Sequence, residues 1–84
     1  VADFLYFAWV RERIGTGAES IEIPAGIATV AELLDWLTTR SPGHAAALAD
    51  RSAIRVAIDE AFVGPEALIG TPREIAIFPP VTGG

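Results

Sequence analysis

With 84 residues, 51% of them hydrophobic and 20% charged, the chain has room for one small domain with an efficient core, and it is too apolar for a disordered segment. It has no cysteine, which excludes disulfide frameworks, thiolate nucleophiles, iron–sulfur clusters and cysteine zinc sites. A net charge of -5, with all six basic residues arginine, gives no electrostatic footprint for nucleic acid and disfavours an anionic membrane surface.

Asp3 to Val10 reads DFLYFAWV, rich in aromatic and branched residues, and predicts a first strand. Gly15-Thr16-Gly17 punctuates the connection to a second strand at Ser20–Ile23, where apolar and polar residues alternate. Thr29 and Glu32 then form a capping-box pattern ahead of Val30, Leu33, Leu34 and Leu37, the stripe of a helix packed on a flat surface. Arg40 suits the negative end of that helix, Ser41-Pro42-Gly43 stops it, and Pro42 opens a second short helix through Ala45–Ala49.

The last third alternates again. Ile54, Val56 and Ile58 mark a strand, Asp59-Glu60 a turn, and Ala61-Phe62-Val63 a short partner strand. Gly64-Pro65 and Gly70-Thr71-Pro72 bracket a loop containing Leu68 and Ile69. Glu74–Phe78 is the final strand, ended by Pro79-Pro80 because proline cannot donate to a ladder. The order ββαβββ predicts an α+β fold, a ubiquitin-like β-grasp with one main helix across a mixed sheet and the first and last strands parallel. Residues 1–78 form the expected domain and residues 79–84 a flexible tail. The longest apolar runs have seven residues, against about 20 for a membrane span. With no basic leader in view, a soluble cytosolic protein is expected, and Val1 in place of an initiator Met suggests a processed or trimmed start.

Self-contained catalysis is not expected. Three serines (Ser20, Ser41, Ser52) and His44 occur without a nucleophile-elbow motif; Ser41 reads as a helix cap and His44 as a surface helix residue. One imidazole without converging carboxylates makes no zinc site, Asp59-Glu60 reads as a solvated turn, and no glycine-rich phosphate loop follows a strand.

Two features go further. Odd positions of the first strand (Asp3, Leu5, Phe7, Trp9) and even positions of the last (Glu74, Phe78) are expected to point away from the helix. Phe7, Phe62 and Phe78 then share one exposed apolar area, which usually marks a partner surface. A covering loop, or faces assigned one residue out of step, is the alternative. The second feature is the run Phe78-Pro79-Pro80-Val81-Thr82-Gly83-Gly84: two stiff prolines, then two residues without side chains that permit close backbone approach. Six residues reach about 20 Å when extended. On composition alone, a working tail and a frayed end both remain open.

These residues carry a resemblance. Phe7-Ala8-Trp9-Val10-Arg11-Glu12 and Phe78-Pro79-Pro80-Val81-Thr82-Gly83-Gly84 resemble the corresponding motifs of the MoaD family, the small subunits of molybdopterin synthase, and the likeness spans the whole length. Trp9 departs from it at a variable position, and Gly70-Thr71-Pro72-Arg73-Glu74 stands where the family often has an acidic turn. The resemblance implies a sulfur carrier that binds no cofactor. A ubiquitin-E1-like enzyme would use ATP to adenylate the Gly84 carboxylate, with Gly83 beside it, and a sulfur donor protein would convert it to a thiocarboxylate. The tail, through Pro79, Pro80, Val81 and Thr82, would enter the large synthase subunit and deliver sulfur to cyclic pyranopterin monophosphate. Phe7, Arg11, Phe62 and Phe78 would dock the two subunits, usually as a heterotetramer. A sulfur carrier for thiazole synthesis, a ubiquitin-like modifier and a binding-only β-grasp module are the alternatives.

Overall fold

A computed structural model describes residues 1–80; the expectations that fall on Val81, Thr82, Gly83 and Gly84 lie outside the described residues. In chain order the elements are β1 (Ala2–Tyr6), α1 (Ala8–Ile14), β2 (Ala18–Ile21), α2 (Val30–Leu37), α3 (Pro42–Ala47), a 3-10 turn at Arg51–Ala53, β3 (Arg55–Ile58), β4 (Ala61–Val63) and β5 (Glu74–Phe78). One mixed sheet runs β2-β1-β5-β3-β4, with β1 and β5 parallel at its centre and every other pair antiparallel. This is the expected β-grasp.

Alternation decides which side of the sheet is covered. Ala2, Phe4 and Tyr6 on β1 and Ile75 and Ile77 on β5 are buried, while Asp3 is exposed and Leu5, Ala76 and Phe78 are half-buried. The helices supply the other wall of the core through Val10, Val30, Leu33, Leu37 and Leu48, each 1% exposed or less. Full burial of such a side chain is worth about 1.5–3 kcal/mol.

The α2 cap forms as expected: Thr29 Oγ1 accepts from the Glu32 N–H, and the Glu32 carboxylate accepts from the Thr29 N–H. Bonds accepted from the Ala28 and Thr29 N–H groups hold the Glu32 carboxyl below its ordinary pKa. Ser41 caps α3 and Pro42 occupies its first turn. Asp59 and Glu60 make the hairpin turn with φ of 48° and 72°, the left-handed pair of a two-residue β-turn.

Four expectations need correction. The first strand stops at Tyr6, and Ala8–Ile14 is a helix. The Phe7 N–H makes a last bond to the Ile77 carbonyl, and Ala8, at φ 53°, turns the chain away. Trp9 therefore belongs to no strand face; it packs partly buried against the core, with the Arg13 guanidinium 4.5 Å from its ring. The second strand lies two residues earlier than expected, because Ile21 pairs with Ala2 and the Tyr6 N–H bonds to the Gly17 carbonyl. His44, expected at the surface, is 6% exposed beneath Tyr6 and Glu19.

Candidate functional site

Chain direction brings three aromatic residues toward the end of β5. In register, Leu5 lies beside Ala76, Ala76 beside Ala57, and Ala57 beside Phe62. These four positions form one row across four strands on the side away from the helices. Two alanines make the middle of that row low. At its β4 end Phe62 stands 82% exposed, its ring centroid 5.6 Å from that of Phe78. The two rings, Arg55, Val56, Val63 and Pro80 line a groove at the base of the residues that follow β5.

The Asp59 carboxylate accepts from the backbone N–H groups of Arg73 and Glu74, both at 3.0 Å, tying the β3–β4 turn to the start of β5. The ladders through β3, which pair Ala57 with Phe62 and Arg55 with Phe78, bring the two rings together toward the end of β5. Phe7, 47% exposed, follows Tyr6 at the end of β1, where Tyr6 pairs with Ile77. Of the residues expected at the partner surface, the structure joins Phe62, Phe78 and Pro80 in one groove; Phe7, expected to share it, lies beyond β1 on the other side of β5 and does not line it. Arg11 lies on α1, where its side chain covers Gly17. Val81, Thr82, Gly83 and Gly84 are outside the described residues.

A second cluster was not foreseen. The Tyr6 hydroxyl donates to Glu19 Oε2, and His44 Nε2 donates to the same oxygen, each at 2.7 Å; His44 Nδ1 meets Ser41 Oγ at 2.7 Å. The Arg40 guanidinium, stacked over Trp36, lies 3.7 Å from Glu19 Oε1. Burial alone would raise the Glu19 carboxyl, but the bonds from Tyr6 and His44, with the charge of Arg40, hold it below its ordinary value. Burial, reinforced by the bond to Glu19, pushes the Tyr6 phenol up.

The Ser–His–Glu connectivity superficially matches a hydrolase triad, but the geometry assigns it to structure. Ser41 Oγ is already the α3 cap, accepting from the His44 N–H at 3.1 Å, and the imidazole is too buried to meet a substrate. One signal for this cluster exists in the sequence. Ile21 facing the core puts Glu19, two residues earlier on the same strand, on the inner side, and a carboxylate there needs a partner.

Among the described residues no group of three or more His, Asp or Glu converges to hold a metal ion, and no helix is long and apolar enough to cross a membrane. The chemistry within reach is recognition: an apolar groove, an arginine at its rim, and a chain leaving beside it.

Comparison with known proteins adds three observations. The ThiS family matches residues 4–84. Over 80 residues, 95% of either chain, the sequence is 38% identical to the molybdopterin synthase sulfur carrier subunit of Escherichia coli (strain K12), and over 86 residues it is 37% identical to the human protein of that name, covering 98% of this chain and 92% of the human one. Among solved structures, a putative molybdopterin converting factor subunit 1 from Pyrococcus furiosus superposes with a TM-score of 0.75 at 25% identity, covering 95% of this chain and 97% of that one. SAMP1 from Haloferax volcanii superposes at 0.71 and 27%, covering 99% and 98%.

Proposed function

Because the chain belongs to the ThiS family, we propose that it is the sulfur carrier subunit of a molybdopterin synthase. The observation that carries this reading is near-full-length identity of 36–38% to proteins of that one name from Escherichia coli, Haemophilus influenzae and human. The geometry supports it: the aromatic groove lies where the chain leaves β5, so a partner docked on Phe62 and Phe78 is beside the tail that it receives.

The reacting group is the Gly84 carboxylate. A carboxylate resists nucleophilic attack until one oxygen becomes a leaving group. An E1-like enzyme therefore transfers AMP from ATP to it with loss of pyrophosphate, and sulfide-level sulfur supplied through a donor protein then attacks the acyl carbon, expelling AMP and leaving a thiocarboxylate. Residues 1–78 act as the handle and residues 79–84 as the working tail. Pro79 and Pro80 stiffen its root, Val81 and Thr82 thread the large subunit, and Gly83 and Gly84 fit a slot too narrow for side chains. Sulfur passes to cyclic pyranopterin monophosphate. Phe7 and Arg11 extend the docking surface, two small and two large subunits make up the synthase, and the chemistry takes place in the cytoplasm with no cofactor bound to this chain.

A second reading, a ubiquitin-like modifier, has in its favour the likeness to SAMP1 and to small archaeal modifier protein 1 of Haloferax volcanii. Intact mass decides between them. Incubation with ATP, an E1-like enzyme and sulfide should replace one oxygen of the chain by sulfur, and deletion of Gly84 should abolish the exchange. Covalent adducts with other proteins' amines, without sulfur transfer to the pterin in the presence of the large subunit, would favour the modifier.

A further inference from the structure

β4 is an edge strand, and a second cleft opens on the side of it that faces α2. About 360 Å³ in volume, it lies between the first turn of α2, the Arg51–Ala53 turn and the β3–β4 hairpin. Its floor is core: Val30, Leu34 and Ile54 are each 5% exposed or less. Arg55, Val56 and Val63 line both this cleft and the Phe62–Phe78 groove, so the two are continuous around the edge of the sheet.

Two guanidinium groups rim the cleft. Arg51 donates to the Leu48 carbonyl at 2.8 Å and pairs with the Asp35 carboxylate at 2.9 Å. Arg55 donates to the carbonyls of Ser52 and Ile54, at 3.1 and 2.8 Å. Carbonyl partners orient the Arg55 fork without neutralising it, so Arg51, Asp35 and Arg55 together leave one positive charge beside an apolar floor, on a chain of net charge -5. An apolar side chain with a carboxylate next to it complements both halves.

We propose that this cleft is the second half of the partner interface: the synthase large subunit seats an apolar side chain in it and sets an adjacent carboxylate on Arg55. The inference rests on the carrier reading above. Continuity with the groove at the tail's root favours a protein partner over a free organic acid.

The test is calorimetric titration of the full-length chain with the synthase large subunit. Ala31→Glu places an anion at the cleft mouth and outside the aromatic groove; it sits in the first turn of α2, where a negative charge favours the helix, so the variant should fold. Arg55→Gln keeps the reach and removes the charge. Each should weaken binding by about tenfold or more, and Arg55→Gln should also flatten the salt dependence. Unchanged affinity in both variants overturns the inference alone. Failure of the unaltered chain to bind the large subunit overturns the carrier reading and the inference with it.

Discussion

Glu19 Oε2 accepts two hydrogen bonds of 2.7 Å from groups on different elements, Tyr6 of β1 and His44 of α3, so one carboxylate ties the sheet to a helix. Its pKa is depressed in the folded chain. A group of that kind contributes stability that is present above its unfolded pKa and is lost as pH falls through the folded one. Glu19→Gln keeps an acceptor for both donors and removes the charge. It should lower stability at pH 7 by about 1–2 kcal/mol, and the gap to the unaltered chain should close on acidification below the ordinary glutamate pKa of about 4.3. Urea unfolding at pH 7 and pH 3 reads this directly; a gap that does not narrow would mean that the charge contributes nothing. The cluster was hard to read from sequence because its partners stand 13 and 25 residues from Glu19, beyond any local spacing rule. His44 misled for the same reason: a Pro-Gly-His-Ala-Ala-Ala segment looks solvent-facing until a carboxylate on another element is placed against it.

Helix ends set how much of each element was legible. α2 and α3 announce themselves through Thr29, Glu32, Ser41 and Pro42, and both lie where those residues put them. α1 has neither a capping side chain nor an acidic first turn; Phe7 precedes it, and the apolar run from β1 continues into it without a break. Only its end was marked, by Gly15 at φ 99° with its N–H on the Arg11 carbonyl. A seven-residue helix with so weak a start depends on what packs against it, chiefly α3 and to a lesser extent β5. A Cβ on Gly43, in the first turn of α3, would stand 2.5 Å from the Arg13 carbonyl oxygen and 3.1 Å from that of Ile14. Gly43→Ala must therefore push the two helices apart and should cost about 1–3 kcal/mol in folding, measured by urea unfolding. Unaltered stability would show that α1 can shift freely on α3 and that Gly43 is not needed for their close approach.

At the scale of the whole molecule the sheet has one face under the helices and one without them; strand alternation foretold the sides of β1 as far as Tyr6 and of β5, but not where Phe7 and Trp9 fall. Phe4, 0% exposed, and Phe62, 82% exposed, are the same residue type on opposite faces. The period-two pattern of β1 and β5 distinguishes the faces, but the ring contact between Phe62 and Phe78 depends on the strand order β5-β3-β4 and its register, which no local pattern of apolar residues encodes. A docking role for the outer face, as proposed, should separate it from the core in two assays. Phe4→Ala should cost about 3–5 kcal/mol in folding. Phe62→Ala should leave the thermal midpoint unmoved and weaken large-subunit binding by about 1–3 kcal/mol. Phe78, half-buried and in contact with Phe62, should register in both assays when changed to alanine. Loss of folding stability in Phe62→Ala, with binding by the folded fraction intact, would assign the aromatic pair to hairpin packing and remove the groove from the interface.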